Sequence, residues 1–376
     1  MQSVTRGILA IVTTIAVASP SLGFAQQHQN SGAVFVMTNS AEKNQVIAFE
    51  RDTEGKLSYR ATYDTEGRGS GGINDPLQSQ GSLKLSQDGS ILFAANAGSG
   101  TVSVFAVEQG RLNFLDKAPS GGSEPAAIAE NVGLVYVLNK GGQGSVVGFR
   151  LNYGGELTQI PNSTAFLSGT YTGGGSIAFS PDGKFLLVTE IVSQKIDVFP
   201  VLPNGTLGPI VVNSNPGPGT FSLVFDPNGD VLVSETGVAG ATNGSAISSY
   251  KVLPGGQLSV VSQSVPTDGA ANCWNVITPD GKRAYVSNAG SSSISGFNIG
   301  PSGALTPIAS TVVGNNPEGS VNLDIALSSD GKYLYTLNSG AGNVGIFAVQ
   351  PDGTLTSLGS AGDFPVFTGL NGIAAF

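Results

Sequence analysis

Short runs of alternating apolar and polar residues recur along the chain and predict β-strands. Lys195-Ile196-Asp197-Val198-Phe199 is a plain case. It lies in a stretch that reads as four strands. Ser176-Ile177-Ala178-Phe179 forms strand A, and Ser180-Pro181-Asp182-Gly183 follows with the Asp-Gly hairpin signal. Residues 185–189 form strand B and residues 195–199 strand C. Asn204-Gly205-Thr206-Leu207 then turns into strand D near residues 210–212. Related A–B turns stand at Asp88-Gly89, Asn228-Gly229, Asp280-Gly281 and Asp330-Gly331, with a weaker form at Asn131-Val132-Gly133. No long run shows the helical period of about 3.6 residues after the N-terminal segment.

Three markers repeat with this unit, each seven times. An aromatic closes strand C at Phe49, Phe105, Phe149, Phe199, Tyr250, Phe297 and Phe347. A Gly-x-Leu turn has its glycine at 55, 110, 155, 205, 256, 303 and 353. A polar residue closes strand B at Asn39, Asn96, Asn139, Glu190, Glu235, Asn288 and Asn338. The period is about 50 residues, and seven four-stranded units predict an all-β, seven-bladed propeller over residues 33–376. Unit one starts at Ala33-Val34-Phe35, which matches strand B. The chain finishes on Asn371-Gly372-Ile373-Ala374-Ala375-Phe376, which matches strand A. The C-terminal strand is therefore expected to complete blade one and close the ring.

Connectivity puts the uniform A–B and C–D turns on one face. The variable B–C and D–A loops share the other face with the polar series. Residues 65–80 form a long D–A loop, and the B–C loop of unit five is expanded over residues 237–244. Binding usually resides on variable loops of a rigid scaffold.

Composition narrows the chemistry. The chain of 376 residues has 54 Gly, one Cys, one His and a net charge of −9. One Cys excludes an internal disulfide and multi-Cys zinc sites. The acidic balance argues against nucleic acid and anionic membranes. Residues 1–25 read as a secretory signal, with Arg6, an apolar run over residues 7–18 and a small-x-small pattern at Gly23-Phe24-Ala25. Residues 26–32, with His28, read as a flexible tail. The expected product is secreted or periplasmic, monomeric and free of the membrane after cleavage.

The polar series supplies candidate site residues. Asn39, Asn96, Asn139, Asn288 and Asn338 have a structural reading as turn caps and a functional one as substrate contacts. Glu190 and Glu235 replace Asn in adjacent blades. They are candidates for a divalent cation such as calcium, or for a general base. Glu124 and Glu318, in D–A loops of the same face, and the sole Trp, Trp274, join the substrate-contact set. Cys273 beside it reads as core.

Ser180-Pro181-Asp182-Gly183-Lys184-Phe185-Leu186-Leu187-Val188, Ile196-x-Val198-Phe199, Gly303-Ala304-Leu305-Thr306 and Asp352-Gly353-Thr354-Leu355-Thr356 resemble the β-propeller lactonase family. That family includes 6-phosphogluconolactonase-type and carboxymuconate-cyclising proteins, and the likeness spans all seven units. It implies a site with His and Arg just before an inner strand and Glu at the end of the next strand B. Glu190 matches the Glu. Gly174 and Gly175 stand where Arg and His would fall, and Ser82 occupies another position where family members often carry His. Two functions follow. One is hydrolysis or formation of a lactone of an unphosphorylated sugar or organic acid, with Glu190 or Glu235 activating water and Lys140 or Arg68 stabilising the oxyanion. The other is non-catalytic binding of a small molecule, glycan or protein on the loop-rich face. Lys56, Arg111, Lys184, Lys282 and Lys332 sit in turns of the opposite face, which leaves few cations for a phosphate.

Overall fold

A computed structural model of the chain describes residues 32–376. The expected signal segment, most of the expected tail and His28 lie outside the described residues. The first strand, Gly32–Met37, already includes Gly32.

Seven antiparallel sheets form a propeller, each ordered from an inner strand A to an outer strand D. Blade four is typical: Gly174–Phe179, Phe185–Glu190, Lys195–Pro200 and Val211–Ser214. Its outer strand lies slightly beyond the predicted position. Blade three carries an additional two-residue strand, Ala165–Phe166, paired to its strand C.

The seven strand-C aromatics are at most 2% exposed and fill the spaces between blades. The seven glycines of the Gly-x-Leu turns have φ between 73° and 89°, a left-handed region that only glycine enters without strain. Tyrosines tie blades together at these turns. Tyr136 and Tyr285 hydroxyls donate to the Gly205 and Gly353 carbonyls of the following blades, at 2.8 and 2.9 Å.

The C-terminal segment completes blade one as expected. Ile373–Ala375 lies antiparallel to Gly32–Met37, with Val34 opposite Ala375 and Val36 opposite Ile373. The innermost strand of blade one thus comes from the far end of the chain.

Candidate functional site

The seven polar residues that end strand B are all buried; six are bonded directly at the loop arriving from the preceding blade, and Asn288 reaches it through Ser295. Asn96 accepts from Thr65 Oγ1 at 2.7 Å and donates to Ser103 Oγ at 2.8 Å, and Ser103 in turn donates to the Thr65 carbonyl. Asn288 donates to Ser295 Oγ at 2.8 Å, which in turn donates to the Thr267 carbonyl at 2.6 Å, while its own Oδ1 has no partner. Asn39 donates to the Gly369 carbonyl, Asn139 to the Ser120 carbonyl and Asn338 to Asn316 Oδ1, each at 3.1 Å. A Cβ on Gly67, Gly122, Gly217 or Gly269 would come within 2.0–2.6 Å of the Asn96, Asn139, Glu235 or Asn288 side chain. The series is a lock between successive blades. The substrate contacts expected of these five asparagines are corrected accordingly, because their side chains are closed over and engaged internally.

Glu190 and Glu235 belong to the same lock. Glu235 accepts from Asn215 Nδ2 at 3.1 Å and Ser248 Oγ at 2.6 Å. Glu190 accepts from the Ser168 N–H at 2.9 Å, the Ser168 hydroxyl at 2.7 Å and the Ser193 hydroxyl. Both carboxylates face hydrogen-bond donors from strand C or the B–C loop of their own blade and from the loop arriving from the preceding one, which is the wrong polarity for a cation, and only Glu235 Oε2 is left without a partner. Among the described residues no three His, Cys, Asp or Glu side chains converge as a metal site. The expected calcium site and the expected general-base roles therefore do not fit these residues. The positions where the resemblance implied Arg and His, Gly174 and Gly175, are closely surrounded. A Cβ on Gly175 would meet Ile191 at 2.9 Å, and one on Gly174 would meet Leu138 at 2.9 Å.

Blade four departs from the lock in one respect. Asp197, fully buried on strand C, takes the place held by Ser103, Ser248 and Ser295 elsewhere. Its Oδ2 shares the Ser168 N–H with Glu190, and its Oδ1 has no partner. Burial, and then the neighbouring Glu190, push its pKa up to about 8, so a proton is retained on the pair at neutral pH. Unfolding releases that proton above the ordinary Asp value near 4, so stability falls as pH rises from about 4 to 8, by about 1.4 kcal/mol per pH unit. Asp197→Ser recreates the blade-five pair. It is expected to raise the melting temperature at pH 8 and to flatten its decline between pH 5 and 8 by one proton's worth. Asp75 and Asp324, each raised to about 7, keep the remaining slope from vanishing. Parallel wild-type and variant curves in calorimetry would refute the shared proton.

The long loop after blade one crosses the central channel. Lys140 Nζ donates to the Leu77 carbonyl at 2.5 Å, and Ser79 Oγ to the Ala126 carbonyl at 2.8 Å, on blade three. Trp274 Nε1 donates to the Ser79 carbonyl at 2.9 Å and Gln80 Nε2 to the Asn275 carbonyl at 2.8 Å, on blade six. The Gln80 N–H donates to the Gly175 carbonyl on blade four at 3.0 Å. Ser82 Oγ donates to Asn371 Oδ1 at 2.6 Å, on the closing segment. This plug separates two cavities. Toward the A–B turns lies a space of about 570 Å³ lined by Gln80, Lys84 and Glu130. Nearby Asp324 is only 2% exposed and is committed to the Ile325 and Ile373 N–H groups.

On the loop-rich face lies a cavity of about 610 Å³ lined by Asn74, Asp75, Trp274, Ser291, Glu318 and Val321, among others. Asp75 is its titratable centre, a carboxylate of the long loop 65–80 to which the sequence assigns no role. Its carboxylate accepts from Asn371 Nδ2 at 2.9 Å, and the residue as a whole is partly exposed. Burial pushes its pKa up to about 7, while Lys140 and the Gln78, Ser79 and Asn371 donors oppose that rise. Burial lowers the Lys140 pKa, countered by Asp75 and Glu124. Of the residues expected at a site, the cavity gathers Trp274 and Glu318. Lys140 stands behind the plug, bonded to the Leu77 carbonyl, with Glu124 in electrostatic reach of it. Arg68 is exposed, and its backbone is tied to Gly98 and Ser99 of blade two. It does not line the cavity.

A family model described as "Lactonase, 7-bladed beta-propeller" matches residues 24–131 and 126–365. The 6-phosphogluconolactonase of Enterobacter sp. (strain 638) is 26% identical over 283 residues, 73% of this chain and 80% of that protein. A crystal structure of a Bacteroides uniformis protein shares the fold with a TM-score of 0.70 and 19% identity, covering 93% of this chain and 100% of its own. The periplasmic gluconolactonase of Pseudomonas aeruginosa shares it with a TM-score of 0.65 and 18% identity, covering 91% of this chain and 98% of its own. The repeat, the ring closure and the family match agree, and the chain belongs to the seven-bladed β-propeller lactonase family.

Proposed function

We propose that the protein hydrolyses an unphosphorylated lactone in the cavity between the plug and blades six and seven. Family membership supports lactone opening as the reaction class, and the curated relative is a 6-phosphogluconolactonase. The observation that carries the site is Asp75, a partly exposed residue on the wall of a large cavity, whose carboxyl group burial pushes up to about 7. In its ionised form Asp75 takes a proton from water as the water oxygen bonds to the lactone carbonyl carbon. Collapse of the adduct breaks the bond from the acyl carbon to the ring oxygen, and the proton returns from Asp75 to the departing alkoxide. Asn74, exposed beside it, carries the amide that can donate to the developing oxyanion. The product is the open hydroxy acid.

An unphosphorylated substrate follows from charge. The cavity's charged lining is Asp75 and Glu318, with no Lys or Arg. Lys56, Lys184, Lys282 and Lys332 pair with the turn carboxylates of Glu54, Asp182, Asp280 and Asp330 at 2.8–3.9 Å. Lys84 lies on the other side of the plug. A phosphate dianion would meet two carboxylates without a compensating cation. The reading of residues 1–25 as an export signal supports action outside the cytoplasm.

A panel of γ- and δ-lactones, with and without phosphate, tests this reading by acid release. Turnover is expected on uncharged lactones and none on 6-phosphogluconolactone. Silence across the panel would leave the loop-rich face as a binding surface.

A further inference from the structure

The space on the far side of the plug from Asp75 is ringed by strand A of blades two to seven and by the closing strand. It comprises two adjoining cavities, of about 570 and 300 Å³, that share Gln80, Lys84 and Val224. The repeat sets one residue of each blade at the same register here, on strand A opposite the residue three before the lock. In blades three to seven it is Ala129, Ala178, Val224, Val276 and Ala326. All five line the space, and Ala178, Val224 and Val276 are partly exposed. Blade two alone among these six places a charged side chain there, the exposed Lys84 opposite Phe93.

The charge balance around Lys84 adds an independent observation. It is the only Lys or Arg lining either cavity, and it forms no ion pair among the described residues. The three carboxylates of the lining are engaged elsewhere. Glu130 accepts the Gln87 and Gly133 N–H groups at 3.1 and 2.7 Å, and Asp226 those of Asn228 and Asp230 at 2.9 and 2.8 Å. Asp324 accepts those of Ile325 and Ile373 at 2.9 and 3.1 Å. Burial within the ring of strands lowers the Lys84 pKa, while Glu130 and Asp324 raise it. A surrounded ammonium without a bonded partner is destabilising, and a bound anion relieves that cost. The fold is served at this register by Ala or Val, so the lysine marks a ligand position. A second negative charge on the ligand would meet Glu130 and Asp324, which favours a monoanion.

We propose that this space is a second ligand site, which binds a small organic monocarboxylate with its carboxylate on Lys84 and its apolar body against Val224 and Val276. Isothermal titration of the wild-type protein with hexanoate, hexanol and inorganic phosphate tests it without any variant. Hexanoate is expected to bind at least about tenfold more tightly than hexanol, the worth of one charge-assisted hydrogen bond, and more tightly than phosphate. Lys84→Met should weaken hexanoate by at least about tenfold and leave hexanol unchanged. Its melting temperature should stay level or rise, because it removes an unpaired charge where other blades carry apolar residues. Asp75→Asn, on the other side of the plug, should bind hexanoate as the wild type does. Absence of saturable hexanoate binding, equal affinity for hexanol, tighter binding of phosphate, or an affinity that survives Lys84→Met would overturn the proposal. Loss of hexanoate binding in Asp75→Asn alone would place the carboxylate in the upper cavity and overturn it as well. Lactone turnover does not enter this readout, so the site stands or falls independently of the hydrolase reading.

Discussion

Deleting residues 371–376 is expected to lower the thermal midpoint by at least about 10 °C, or to prevent recovery of soluble protein. The segment supplies the innermost strand of blade one, and its loss leaves Val34, Phe35 and Val36, all fully buried, facing the channel. Besides the ladder that pairs Ile373–Ala375 with Val34–Val36, four flanking backbone hydrogen bonds disappear with it. They run from Met37 N–H to Gly372, Ala33 N–H to Phe376, Phe376 N–H to Ala33 and Asn371 N–H to Met37. At about 1 kcal/mol each, with about 1.5–3 kcal/mol for burying Ile373, the flanking bonds and that side chain alone account for on the order of 5 kcal/mol. A domain's whole stability is only about 5–15 kcal/mol, and a kcal/mol moves the midpoint of a large domain by about 2–4 °C. The deletion also removes Asn371, which joins Ser82 to Asp75, so the plug should loosen as the ring opens. A peptide of residues 370–376 added in excess should restore part of the midpoint. An unchanged melting curve would show that the strand is dispensable and the ring closes by other contacts.

That closure was legible in the sequence because strand A has a recognisable pattern and its absence at one end matched its presence at the other. The blades were legible for the same reason: period-two alternation, Asp-Gly turns and a left-handed glycine after strand C are local signals. The polar series was equally visible, but its role was not. Asn96 or Glu190 shows its function only through partners on a different blade, such as Thr65 or Ser168, and those pairings depend on the approach of the D–A loops. Asp197 could have been noticed as a carboxylate at an inward position of strand C, where other blades carry Ser or an apolar residue. The plug was visible only as length. Residues 65–80 have no periodicity, so nothing local says that Leu77, Ser79 and Gln80 reach blades three, four and six. Asp75, in the middle of that loop, is visible as a carboxylate but nothing local gives it a role, whereas Glu318 stands in a D–A loop that the repeat itself assigns to the loop-rich face.

Asp75→Asn is expected to reduce kcat/KM on the best lactone by about 10²–10⁴-fold, the usual worth of a positioned general base. The amide keeps an oxygen to accept from Asn371, so the loop should hold and the melting temperature should stay level or rise. Because the base must be ionised, wild-type kcat/KM should climb tenfold per pH unit below about 7 and level off above it. Stability runs the other way for this group. An acid with a raised folded-state pKa favours the folded state at low pH, and that contribution is lost as pH rises through about 7. Lys140→Met separates the base from its positioning residue. Loss of the ammonium removes an interaction that holds the Asp75 pKa down, so the acidic limb of the rate profile should move to higher pH while the plateau remains measurable. A Lys140 variant with reduced plateau and an unmoved limb would mean that Lys140 serves only to anchor Leu77. Retention of activity by Asp75→Asn, with its pH profile intact, would place the base elsewhere and remove this cavity as the site of chemistry.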